Sequence, residues 1–141
     1  MQKPKIFVSF DFEKDRKYKY LLDAWSANSA FEFTCDDRSA HEIQTNSVAV
    51  VKNVLSRKIN EATAVVVIVG QDANKQHPDW REIGYWNWQN YEVAKAKELN
   101  KKLIAVQLDS RYPYPAELLN ANATRVSSFT HDGIVKAVRG W

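Results

Sequence analysis

Cysteine is nearly missing from this sequence: Cys35 stands alone. One thiol cannot close an internal disulfide, and neither a CxxC pair nor a Cys/His spacing suited to zinc is present. The three histidines, His41, His77 and His131, are scattered without metal-ligand spacing, so no metal is expected. No apolar run approaches the roughly 20 residues that a membrane span needs, and residues 1–4 are too short and polar for a signal peptide. Together these point to a reducing cytoplasm and to no membrane partner. Long basic stretches are absent as well. A formal charge of +3 helps a protein hold an anionic nucleotide, but it lacks the pattern of a nucleic-acid binder. The densest basic cluster, Lys14, Arg16, Lys17 and Lys19, reads as a solvated helix face before it reads as a phosphate platform. No internal repeat, low-complexity tract or linker divides the 141 residues, so one domain over 1–141 is expected.

What is present is enough apolar material, 45%, for a real core, with an ordinary 26% of charged residues. Lys5–Phe10 is a β-branched and aromatic run and predicts a first strand. Asp15 is placed to cap a helix to about Ser26, with Tyr18, Leu21, Leu22 and Trp25 at helical spacing. Phe31–Cys35 predicts a second short strand, ending at Asp36 and Asp37. Ser47 opens a helix to about Ala62 that should bury Val50, Val51, Val54 and Ile59. Ala64–Val69 is a continuous β-branched run closed by Gly70, the signature of a strand covered on both faces. A long, Trp-rich helical stretch then ends near Asn100. Leu103–Leu108 predicts a fourth strand, Thr124–Ser127 a short edge strand and Asp132–Val138 a last helix. Strands alternating with helices imply an α/β protein with a parallel sheet covered on both faces, and the flavodoxin-like order 2-1-3-4-5 is expected.

In such a sheet, ligands bind beyond the carboxyl ends of the strands, where the strand order reverses. Here that point lies between the first and third strands. It gathers Ser9, Phe10, Asp11 and Phe12 after strand one and Gly70, Gln71 and Asp72 after strand three, with Asp36 and Asp37 nearby. The Trp-rich segment adds Trp80, Tyr85, Trp86, Trp88 and Tyr91. A bulky anchoring helix or an interface accounts for most of these. Trp88 and Glu92 share one helical face, continued by Ala96 and Leu99, which puts a carboxylate in or beside an apolar stripe. Lys95 falls on the same side and offers Glu92 a structural partner instead.

Three of these segments together resemble a known family. KIFVSFDFEKD, AVVVIVG and WQNYEVAKAKELNKKLIAVQLD are similar to the TIR-like family of bacteria and archaea, and in particular to the TIR-like proteins of Thoeris antiphage systems. The likeness runs over almost the whole chain. Its most specific element is the W-x-x-x-E pattern, Trp88 to Glu92, between the third and fourth strands. The resemblance implies a flavodoxin-like TIR fold, NAD as substrate and no separate cofactor. It implies Glu92 as the catalytic carboxylate and Phe10, Asp11 and Phe12, in the loop after strand one, as contacts of the dinucleotide; the switch-point residues Ser9, Asp36 and Gly70 and the aromatic face of Trp88 complete the expected NAD-binding set. It implies hydrolysis or cyclisation of NAD to an ADP-ribose-derived signal, sensed by a separate effector. Breaking the nicotinamide–ribose bond builds positive charge on the sugar, which a fixed carboxylate stabilises. CDDRSAHE stands where receptor-type members carry Arg-Asp and Pro-Gly, which argues against an adaptor of the animal type, and the longer Trp-rich loop makes Glu82 a rival to Glu92.

Two other readings stay open on the sequence. One is a non-catalytic TIR-like module that works by self-association. The other is a phosphoacceptor receiver, with Asp11, Asp72 and Ser110 in three of its places. It lacks the lysine that should follow residues 124–127.

Overall fold

The computed structural model describes residues 5–11, 15, 17, 18, 20–22, 24, 32–35, 47–119 and 121–139. The expectations for Phe12, Asp36 and Asp37 therefore lie outside the described residues. The described strands are β1 (Lys5–Ser9), β2 (Glu32–Cys35), β3 (Ala64–Val69), β4 (Lys102–Gln107) and β5 (Thr124–Val126). They form one sheet, every pairing parallel, in the order β2-β1-β3-β4-β5. The helices are α1 (Val48–Glu61), α2 (Trp80–Ile83), α3 (Trp88–Glu98) and α4 (His131–Arg139), with a 3-10 turn at Ala116–Leu118. Asp15, Lys17, Tyr18, Tyr20, Leu21, Leu22 and Ala24 are also helical. The parallel α/β class is thus the one the alternating pattern predicts.

Side-chain alternation sorts the strands onto two cores. Phe7, Val65, Val67, Val69, Leu103 and Ala105 face α1, α2 and α3. Ile6, Val8, Ala64, Val66, Ile68, Ile104 and Val106 face Leu22 and α4 on the other side. All six residues of β3 are buried, as its unbroken apolar run requires. The chain leaves β1 toward Leu22 on one face and leaves β3 toward α2 and α3 on the other. That divergence places the reversal of strand order, where such folds hold their ligands, between the carboxyl ends of β1 and β3.

Two expectations need correction. In α1 the buried residues are Val51, Leu55 and Ile59, spaced by four, while Val50 is 45% exposed. Val50 lies one residue, about 100° of helix, off that stripe. The Trp-rich stretch is also not one helix. Gly84 takes the left-handed conformation (φ 84°) that glycine adopts without a Cβ penalty, and its N–H bonds the Trp80 carbonyl to close α2. Asn87 then caps α3, its side chain accepting from the Asn90 N–H at 2.9 Å.

Candidate functional site

Ser9 ends β1 with its side chain on the same face as Phe7, toward α3. It is fully buried, as is Glu92 in the second turn of α3. The Ser9 hydroxyl donates to Glu92 Oε1 at 2.5 Å. This distance sits at the short end of the range for a hydroxyl on a carboxylate. Lys95, the expected structural partner, does not turn to Glu92. Its ammonium bonds Glu98 at 2.9 Å, and that bond holds the Lys95 amine above its ordinary range. The two lysine options, three residues before and three after, are equivalent in spacing. The buried position of Glu92 and the exposed position of Glu98 decide between them.

Gln89, one helical turn before Glu92, was not a sequence candidate. Its side-chain amide donates to the Ser9 carbonyl at 3.3 Å and to the Ile68 carbonyl at 3.0 Å, so it bridges the ends of β1 and β3. The i, i+3 spacing to Glu92 was the available signal. Beside it, three asparagines make an amide network. Asn87 donates to the carbonyls of Ala73 and Lys75, both at 2.9 Å, and Asn90 donates to Asn74 and Asn87, both at 3.0 Å. Asn90 and Asn74 in turn accept from the N–H groups of Glu117 and Ala116. The loop after β3, the start of α3 and the 3-10 turn are thereby fixed to one another.

Just beyond β3 the Asp15 carboxylate lies against Gly70. A methyl group at position 70 would overlap it, so this close approach needs glycine. Asp15 is almost fully buried, and its N–H donates to the Asp11 carbonyl at 2.8 Å. That is the bond of a residue within a helical turn, where the sequence suggested a cap. Asp11 is half-buried.

The two described aromatic candidates are packed. Phe10 is fully buried in the core on the Leu22 side. Trp88 is buried on the opposite face, edge-on to Tyr91 with ring centroids 5.7 Å apart. The structure thus brings Ser9 and Glu92 into contact, sets Gly70 one residue beyond β3, and parts Phe10 from Trp88. Glu82, the rival acid, is exposed on the one-turn helix α2. Among the described residues no cluster of three potential metal ligands occurs, and no helix is long and apolar enough to cross a membrane.

With this geometry in view, the comparisons are specific. The family model for the Thoeris protein ThsB, TIR-like domain, matches residues 7–112. The chain belongs to this family. The match to the ThsB TIR-like domain spans Ser9, Gly70, Gln89 and Glu92 and stops before β5 and α4. No curated protein sequence matches significantly. Among solved structures, a 2-desoxiribosyltransferase from Leishmania mexicana is similar, with a TM-score of 0.67 at 12% identity, over 98% of this chain and 99% of that one. A 2-deoxyribosyltransferase from Bacillus psychrosaccharolyticus gives 0.58 at 14% identity, over 94% and 90%. At such identities the likeness is one of fold.

Proposed function

We propose that this ThsB-type TIR-like chain is an enzyme that consumes NAD, with Glu92 as the carboxylate at the reacting centre. One observation carries the reading: a fully buried glutamate is held by the last hydroxyl of β1 at the point where the strand order reverses. A carboxylate there stabilises the positive charge that grows on ribose as nicotinamide leaves, and it acts most strongly where water is excluded. Glu92 is fully covered, so side chains over it must move aside for the dinucleotide to reach it. The names of the two structural neighbours add support, since moving a deoxyribosyl group also breaks a bond at the anomeric carbon of a sugar. On this reading Asp11 and Gly70 flank the dinucleotide. The product is an ADP-ribose derivative read by a separate effector in the cytoplasm.

Glu92→Gln tests it. The Gln carbonyl still accepts from Ser9, so size and hydrogen bond persist and only the charge is lost. NAD loss and nicotinamide release are followed with protein from phage-infected and uninfected cells. Turnover should fall on the order of a hundredfold or more. Glu82→Gln, on the exposed α2, should stay within about twofold of the parent, as expected of a surface side chain remote from the chemistry.

The second reading, a non-catalytic self-associating module, draws on the same burial. A Ser–Glu pair sealed from solvent also serves as a polar clip between strand and helix. It predicts no NAD consumption by parent or variant, and a change of assembly state with concentration.

A further inference from the structure

We propose that Gln89 is a positioning residue that sets the geometry of Glu92 through Ser9; the inference rests on the reading of Glu92 as the carboxylate at the reacting centre. The last β1–β3 register pair is Ser9 with Val67. Beyond it no strand partner remains to hold the two chains at their ladder spacing, because they leave toward opposite faces. The Gln89 amide stands at that place. Its one NH2 group donates to a carbonyl from each strand, Ser9 on β1 and Ile68 on β3. Ser9 is therefore held at both ends: its carbonyl by Gln89 and its hydroxyl by Glu92.

The result is a closed ring. Gln89 and Glu92 lie one turn apart on α3, and both bond Ser9, so helix, strand end and carboxylate fix one another. A hydroxyl rotates freely about its Cβ–Oγ bond. Fixing the Ser9 backbone leaves the χ1 rotamer, which places Oγ, and the rotation about Cβ–Oγ, which aims the proton at Glu92. Positioning of this kind matters because small misplacements of a reacting group cost large factors in rate. Gln89 is buried with both strand carbonyls as acceptors, so its amide orientation follows from its partners: a carboxamide oxygen turned toward them would face only lone pairs.

The test uses the full chain with Gln89→Met, which keeps length and removes both donors, together with Ser9→Ala, the double variant and Ser56→Ala. Ser56 bonds the Tyr91 hydroxyl at 2.7 Å, so its loss also loosens α3 but not through Ser9. Gln89→Met should lower kcat about tenfold or more, the equivalent of roughly one misaligned hydrogen bond, while KM stays within about threefold because ground-state binding is spared. In the Ser9→Ala background the same change should cost less than about twofold, since residues acting in one network are not additive. Ser56→Ala should leave kcat unchanged. Multiplying penalties in the double variant, or an unchanged kcat in folded Gln89→Met, overturns the proposal.

Crystal structures supply the arm that does not need turnover. In Gln89→Met the Ser9–Glu92 bond should be broken, and its retention overturns the proposal even if no variant or parent consumes NAD. If Gln89→Met does not fold, Gln89→Leu, which also removes both donors, replaces it with the same expected directions and the same overturning results.

Discussion

Helices α1 and α3 cover the same face of the sheet and touch through the Ser56–Tyr91 hydroxyl pair, yet they are built on different rules. Helix α1 fully buries only Val51, Leu55 and Ile59, an aliphatic stripe flanked by the half-buried Val48 and Val54, so every fully buried side chain on it is apolar. Helix α3 buries Trp88, Gln89, Asn90, Tyr91, Glu92 and Val93 in succession, then Ala96. Its first turns are enclosed all round, by the strand ends, the loop after β3 and the 3-10 turn. Three of those buried side chains are polar, and the cap Asn87 is a fourth. Burying a polar group without a partner costs about 1–3 kcal/mol, and each of these four has one or more. A helix needed only for packing does not require this. The difference separates a helix that stabilises the sheet from a helix that builds a site on it.

The widest contrast is expected between Leu55→Ala on α1 and Glu92→Gln on α3. Leu55 is fully buried in a large aliphatic core, so its truncation should cost about 2–5 kcal/mol in denaturant titration. Turnover per folded molecule should stay near the parent's. Glu92→Gln should do the reverse, losing NAD turnover on the order of a hundredfold with little change in the unfolding midpoint. A Leu55→Ala protein that is folded yet inactive would erase the distinction between the two helices.

A smaller effect sharpens the contrast within α3. Asn90→Ala removes the acceptor of the half-buried Glu117 N–H and two donated bonds to Asn74 and Asn87. The expected loss is about 1–3 kcal/mol of stability. Proteolysis or hydrogen exchange should show the damage concentrated at residues 116–118 and in the loop after β3. A uniform loss of protection across the sheet would mean that the amide network does not act locally.

The parts that were legible in the sequence share a physical reason. Apolar runs such as Ala64–Val69 and Leu103–Leu108 leave little choice but a buried strand, and the helix–strand alternation makes the sheet parallel. Ser9 and Glu92 were both named from chain order and family likeness, and the structure puts them in contact. Gln89, Asn74, Asn87 and Asn90 were not visible. Amide side chains on a helix or loop ordinarily face water, and apart from the i, i+3 spacing of Gln89 to Glu92 no pattern marks the few that turn inward to a carbonyl. Phe10 was read as facing the dinucleotide because it lies in the loop after β1, at the switch point and in the family's contact loop. Yet strand alternation sends neighbours to opposite faces, and Phe10 enters the core beside Leu22. The break between α2 and α3 was encoded by Gly84 and Asn87, an end signal and a start signal inside an aromatic-rich run whose spacing hid them.

The smallest effect tests the charge beside the site. Lys95 is equally spaced from Glu92 and Glu98, and its ammonium goes to Glu98. That carboxylate is 66% exposed, so the pair is largely screened by solvent. Lys95→Ala should therefore cost no more than about 0.5 kcal/mol, and less at high salt. The sign with pH follows from the direction of its shift. The Lys95 amine is raised in the folded chain, above the ordinary value of 10.5, by the Glu98 bond. Its contribution is fully present below that ordinary value and disappears as pH climbs through the raised one. NAD turnover by Lys95→Ala should match the parent across neutral pH, because the carboxylate that lysine neutralises is not the one facing Ser9. A loss of more than about tenfold, or about 1.4 kcal/mol in the barrier, would mean that Lys95 acts on Glu92 during the reaction. The polar, site-building side of α3 would then extend onto its exposed face.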